Sequence, residues 1–199
     1  MLKNGLNHLS PLDRSPKLIL AAFLYTAGTL FLGYLAFGLM TSLIFSSGFL
    51  GGFILWYLVP SKTPYERLKV PYFACLALFF LHRVEEKYMG FFAFLSEVTN
   101  VPTPEILSWE VVGLVTISVG SWLSIPFLLR RGYDFGYYFA WTFFTAMGVT
   151  ELAHWIVFPF ILENPFQYIP GMITVVPLAP VAWLAMRRLV AGRPKRIFL

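Results

Sequence analysis

The sequence predicts an all-α, polytopic membrane helix bundle with about six transmembrane helices and both termini cytoplasmic. Three observations predict it. Of the 199 residues, 58% are apolar and only 13% are charged, against about 25% charged in a soluble domain, and mean hydropathy is +0.70. The apolar residues fall in long runs, and about 20 residues at 1.5 Å each cross a hydrocarbon core. The basic residues fall on one side of a six-span path with both ends inside. Lys3, Arg14, Lys17, Lys62, Arg67, Lys69, Arg130, Arg131, Arg187, Arg188, Arg193, Lys195 and Arg196 lie in inner segments, and only Arg83 and Lys87 in outer ones, as the positive-inside rule requires. The net charge of +5 is thereby explained by a lipid bilayer rather than by nucleic acid.

The elements follow in order within a single membrane domain. Residues 1–16 are a polar tail in which His8 is a solvated bystander. The run 18–59 is too long for one span and divides into two, roughly 18–38 and 42–59, with a turn near Met40 and Thr41. Gly48 and Gly52 are a small-xxx-small pair that favours close helix packing. Residues 60–69 form a polar loop with two prolines. A third span runs over 70–90, and Cys75 inside it reads as an inert buried thiol. Thr103, Pro104 and Glu105 carry an N-cap and first-position proline pattern. The fourth span starts near Trp109 and ends at Arg130-Arg131, kinked near Pro126. The fifth runs from Asp134 to Phe158 and is dense in aromatics. The sixth covers 170–186, and residues 191–199 are a basic tail. No cleavable leader is expected, because the first apolar run is too long for one.

One stretch does not fit a plain scaffold. Phe80-Leu-His82-Arg83-Val-Glu85-Glu86-Lys87 places an imidazole, two carboxylates and two cations in the second half of the third span. On a helix His82, Glu85 and Glu86 share one face. Ionisable groups at membrane depth cost several kcal/mol unless they are paired or bind something. The fifth span carries a matching pair, Glu151-x-x-His154. The third and fifth spans both run outward, which sets both groups at similar heights in the outer half of the membrane. Glu110, at the outer start of the fourth span, belongs to the same zone.

His82-x-x-Glu85-Glu86, followed by a His-bearing helix and Tyr168-x-Pro170-Gly171-x-x-Thr174, resembles the HXXEE-domain family of integral membrane proteins. The resemblance covers about residues 70–190, a four-helix part to which 18–69 adds two further spans. It singles out Tyr168, Pro170, Gly171 and Thr174 besides the charged residues. Gly171 is expected to permit close approach of a neighbour.

Imidazole with carboxylate is a usual ligand set for iron, zinc or manganese. The candidate metal ligands are His82, Glu86, Glu110, Glu151 and His154; the candidate proton-moving groups are Glu85, Glu86 and Glu151. The set resembles the Glu-x-x-His arrangement of helix-bundle di-metal proteins only in part, and suffices for one ion. Plainer readings stand beside these. Glu85 or Glu86 would pair with Arg83 or Lys87, Glu110 would sit at a helix N-terminus for the dipole alone, and Tyr168 would be an interface-belt tyrosine. The function the residues favour is a multi-pass enzyme of the cell membrane, metal-dependent or acid–base, acting on a lipid or isoprenoid. The alternatives are ion, proton or metal transport, haem binding by His82 and His154, or a structural subunit. The sequence names neither the substrate nor the oligomeric state.

Overall fold

The structure, a computed structural model, describes residues 14–190 apart from 62, 104 and 106. The expected tail with His8, the basic Lys62, Pro104 and the basic residues 191–199 lie outside the described residues. The described chain is all-helical: α1 (Pro16–Leu58), α2 (Tyr65–Tyr88), α3 (Phe91–Thr99), α4 (Trp109–Arg130), α5 (Asp134–Gly148), a 3₁₀ turn (Thr150–His154), α6 (Val157–Ile161) and α7 (Met172–Val190). Four segments are long and apolar enough to cross a membrane: Pro16–Leu58, Trp109–Arg130, Asp134–Ile161 and Met172–Val190. The 24-residue α2 has the length, but its charged residues keep it out of that set.

A straight helix of 43 residues would be ~65 Å long. Yet Arg14 at one end donates to the Tyr57 carbonyl at the other, 2.9 Å away, and its guanidinium lies over the Trp56 ring. α1 therefore doubles back as two antiparallel limbs. The turn falls at Gly38, whose φ of 78° is left-handed and open chiefly to a residue without Cβ. It lies slightly before the Met40–Thr41 position the sequence suggested. Across the limbs Phe23 meets Phe53, and Ser42 donates to the Leu30 carbonyl.

The second limb packs backbone to backbone on α5 through the predicted glycine pair. A Cβ on Gly52 would stand 2.6 Å from Thr142 Cα, and one on Gly48 2.9 Å from Ala146 Cα. Backbone atoms cannot swing aside, so Gly52→Ala is expected to cost about 2–3 kcal/mol, read as a lower unfolding temperature of the detergent-purified protein. Gly120→Ala, which meets nothing within 4 Å, should leave that temperature unchanged.

At one end of the bundle the Thr63 hydroxyl donates to the Arg188 carbonyl, Arg188 to the Arg67 carbonyl, and Tyr137 to the Thr63 carbonyl. Arg130 lies over Tyr65. This end thus collects basic residues from α2, α4 and α7. The core between is aromatic: Trp56, Tyr72, Tyr138, Phe143 and Phe144 are fully buried, and Phe79 meets Trp122 edge-on. Cys75 is buried, as expected.

Two local expectations change. No helix begins at Thr103 or Glu105; α4 starts at Trp109, with the Ser108 hydroxyl accepting from Val111 N–H as N-cap. The fifth segment is not one helix to Phe158. Trp183 on α7 donates its indole N–H to the Gly148 carbonyl at 2.7 Å, and its ring sits where a Cβ at 148 would go. That side chain takes the place of a ladder partner, a recognised cause of a helix break. The α-helix stops at Gly148 and the chain continues as the 3₁₀ turn.

Candidate metal centre

The break at Gly148 sets up the site. In a 3₁₀ turn side chains at i and i+3 eclipse, so Glu151 and His154 project in line from one short segment. On α2, His82 and Glu86 share a face at i and i+4. The two faces meet. His82 Nε2 lies 3.1 Å from Glu151 Oε2 and 3.4 Å from Glu86 Oε1. His154 Nε2 lies 3.4 Å from the same Glu86 oxygen and 3.5 Å from the same Glu151 oxygen. The four atoms lie within 4.8 Å of one another, and the residues holding them are buried or nearly so. A tetrahedral ion with ligands at ~2.0–2.1 Å has six edges of about 3.3–3.4 Å, and the four imidazole–carboxylate distances fall near that value.

The remaining carboxylate oxygens are held by Arg83. Its Nη1 is 2.8 Å from Glu86 Oε2 and its Nη2 2.7 Å from Glu151 Oε1. Each carboxylate therefore gives one oxygen to the guanidinium and turns the other toward the imidazoles. Arg83 therefore pairs inward, with both carboxylates. With neutral imidazoles the group carries two negative charges against one positive, and Glu86 Oε1 is buried with no hydrogen-bond donor. A buried unpartnered carboxylate oxygen is costly, and a cation among these four atoms removes that cost.

Glu85 takes a different part from the proton transfer the sequence suggested. It turns to the first turn of α7, where its carboxylate accepts from the backbone N–H of Ile173 and Thr174 and from the hydroxyls of Tyr168 and Thr174. The free N–H groups of a helix start are what such an anion satisfies. Burial and then the hydrogen bond to Glu85 push the Tyr168 phenol up to about 12, and it donates to that carboxylate; it is no plain belt tyrosine. Thr174, donating to Glu85, must accept from His82 Nδ1–H, 2.8 Å away. That leaves Nε2 facing Glu86 and Glu151, where it hydrogen-bonds Glu151 Oε2 when protonated, and a bound ion would take the place of that proton. Outer partners of this kind orient metal ligands, and losing one typically weakens binding 10–100-fold. Glu85→Gln should accordingly weaken metal binding about tenfold or more without removing it, as measured by competition with a chelator of known affinity.

Glu110 does not join. It lies half-buried in the first turn of α4, where the helix dipole accounts for it, and the converging group comprises His82, Glu86, Glu151 and His154. Gly171, with φ of +101°, lies against both imidazoles: a Cβ there would stand 2.7 Å from His154 Cε1 and 2.8 Å from His82 Cε1. Pro170 and Gly171 thus bring the start of α7 under the two rings. The rings themselves are 5.1 Å apart edge to face and aim at the same two carboxylate oxygens. A haem between them would need that space for its macrocycle, so the geometry suits a bare ion.

The plainer pairing of Glu86 with Arg83 is present; sequence reasoning missed the second arm of Arg83, on Glu151, and the apolar cavity beside the group. The cavity, about 210 Å³, is bordered by Arg83, Glu86, Glu151 and His154 at its polar side and mostly by Phe, Val, Leu and Trp elsewhere. No family model, curated protein or solved structure matches this chain.

Proposed function

We propose that this chain is a multi-pass membrane enzyme of the HXXEE type, crossing the cell membrane six times with both termini cytoplasmic. It holds one divalent ion at His82, Glu86, Glu151 and His154 and acts on a lipid or isoprenoid. One observation carries the reading: four ligand atoms at metal-ligand spacing border an otherwise apolar cavity. Two imidazoles and two carboxylates are a donor set that zinc, iron or manganese accepts. The two limbs of α1 supply two spans and the basic end lies on the cytoplasmic side.

Bound there, the ion would polarise a substrate oxygen or lower the pKa of a water. The chain's own residues do the rest. Arg83 holds Glu86 and Glu151 side by side, and either carboxylate, beside the cavity, would take or return a proton. Thr174 and Glu85 hold His82 in one orientation. Phe79, Phe91 and Trp122 line the cavity and exclude water from it.

Metal analysis of the detergent-purified protein tests this. About one equivalent of zinc, iron or manganese is expected, and Glu151→Gln should lose it. Folded protein that stays metal-free after dialysis against each of the three ions would defeat the reading.

A further inference from the structure

The cavity beside the metal centre has a built interior of its own. α1 contributes Phe37, Thr41 and Phe49, α4 contributes Ser118 and Trp122, and Phe79 comes from α2. Its volume of about 210 Å³ exceeds the ~150 Å³ of an apolar cavity that takes benzene. Almost all its lining is hydrocarbon, so water gains little there. Four of the residues that border it carry a buried polar atom without a hydrogen-bond partner. Three of these atoms, Glu86 Oε1, Arg83 Nε and His154 Nδ1, belong to the metal centre. The fourth is Thr41 Oγ1, on a residue 3% exposed and outside that centre. Ser118, by contrast, satisfies its own hydroxyl on the Leu114 carbonyl. A buried hydroxyl without an acceptor is destabilising. An occupant bearing an oxygen acceptor would satisfy it.

We infer that this cavity binds a medium-length hydrocarbon chain ending in an oxygen, of the prenyl-alcohol or fatty-alcohol class. The chain lies along Phe49, Phe79 and Trp122, and its oxygen accepts from the Thr41 hydroxyl. Such a molecule reaches the cavity from the bilayer, where it is concentrated. Aromatic walls suit a branched, unsaturated chain as well as a straight one, so the oxygen-ended chain is the shared chemistry of the two sources. The capacity, scaled from the benzene case, is roughly eight to ten carbons. This inference rests on the proposed reading for its chemistry but not for its binding energy, which comes from burial of the chain.

The test is equilibrium binding of tritiated geraniol to the full chain in nanodiscs, with competition by 1-decanol and by decane, and with metal content measured on the same samples. Saturable 1:1 binding above that of protein-free nanodiscs is expected. Ser118→Phe and Val115→Trp, which fill the cavity from α4, should each weaken it tenfold or more while the metal content and helical circular dichroism stay unchanged. Thr41→Val should weaken geraniol and decanol about fivefold and leave decane unaffected. Geraniol binding tighter than decanol assigns the site to prenyl alcohols, and the reverse order to fatty alcohols; either supports the inference. Metal-loaded protein with no saturable chain binding, or filled variants that bind as well as the parent, overturns it. Chain binding by protein that holds no metal supports it and removes the metal reading alone.

Discussion

Alanine at His82 and alanine at His154 will each strip the ion from the purified protein. Four-ligand zinc sites bind with about 10–16 kcal/mol in total, so one imidazole carries on the order of 3 kcal/mol and its loss about a hundredfold or more in affinity. The two variants should behave alike, because both Nε2 atoms face the same Glu86 and Glu151 oxygens at 3.1–3.5 Å. They should differ in one respect. His82 also accounts for the Thr174 hydroxyl, whereas His154 Nδ1 has no partner, so His82→Ala disturbs the start of α7 and His154→Ala does not. Glu110→Gln is the matched control, an acidic residue in the first turn of α4 that lies outside the group; that variant should keep the ion. The measurement is metal content and chelator competition on monodisperse protein with parental helicity. Retention of the ion in either alanine variant would mean that α2 and the 3₁₀ turn do not share a site.

Spacing made half of this centre legible. His82 and Glu86 on one helical face, and Glu151 with His154 three residues apart, follow from periodicity, and span direction set them at similar heights. Spacing could not separate Glu85 from Glu86, because i+3 and i+4 both point toward the face of residue i. The choice belongs to the neighbours: α7 offers its free N–H groups to Glu85, and Arg83 takes an oxygen of Glu86. The 3₁₀ turn was hidden for a similar reason. Its cause is Trp183, a residue more than thirty positions away that takes the Gly148 carbonyl. The cavity was invisible because its walls come from short pieces of most of the helices, and each Phe or Val read alone is ordinary core. The fold was more legible than the site, since it depends on long apolar runs and on glycines. Gly38, Gly48 and Gly52 lie where the chain turns or two helices touch.

Gly171→Ala is expected to have the largest effect on metal binding of any single methyl group added to this protein. Its Cβ would stand 2.7 Å from His154 Cε1, 3.0 Å from His154 Nδ1 and 2.8 Å from His82 Cε1, inside the approach that carbon atoms tolerate. His82 cannot yield easily, because Thr174 holds its other nitrogen, and His154 is packed against Phe91 and Phe158. Either the rings separate or the start of α7 lifts away and takes Thr174 with it. Both outcomes spread the four ligand atoms, and metal affinity should fall at least a hundredfold. Backbone strain adds to this, since a φ of +101° costs an alanine about 1–3 kcal/mol. The two contributions can be separated. Gly132 has a φ of +72° with nothing within 4 Å of its would-be Cβ, so Gly132→Ala incurs strain without collision and should lower the unfolding temperature while the ion stays bound. If Gly171→Ala behaves like Gly132→Ala, losing stability but keeping the ion, the imidazoles do not lean on that backbone and the Tyr168–Thr174 segment has no part in shaping the centre. If it loses the ion at unchanged helicity, the Pro-Gly turn is the floor on which both imidazoles rest.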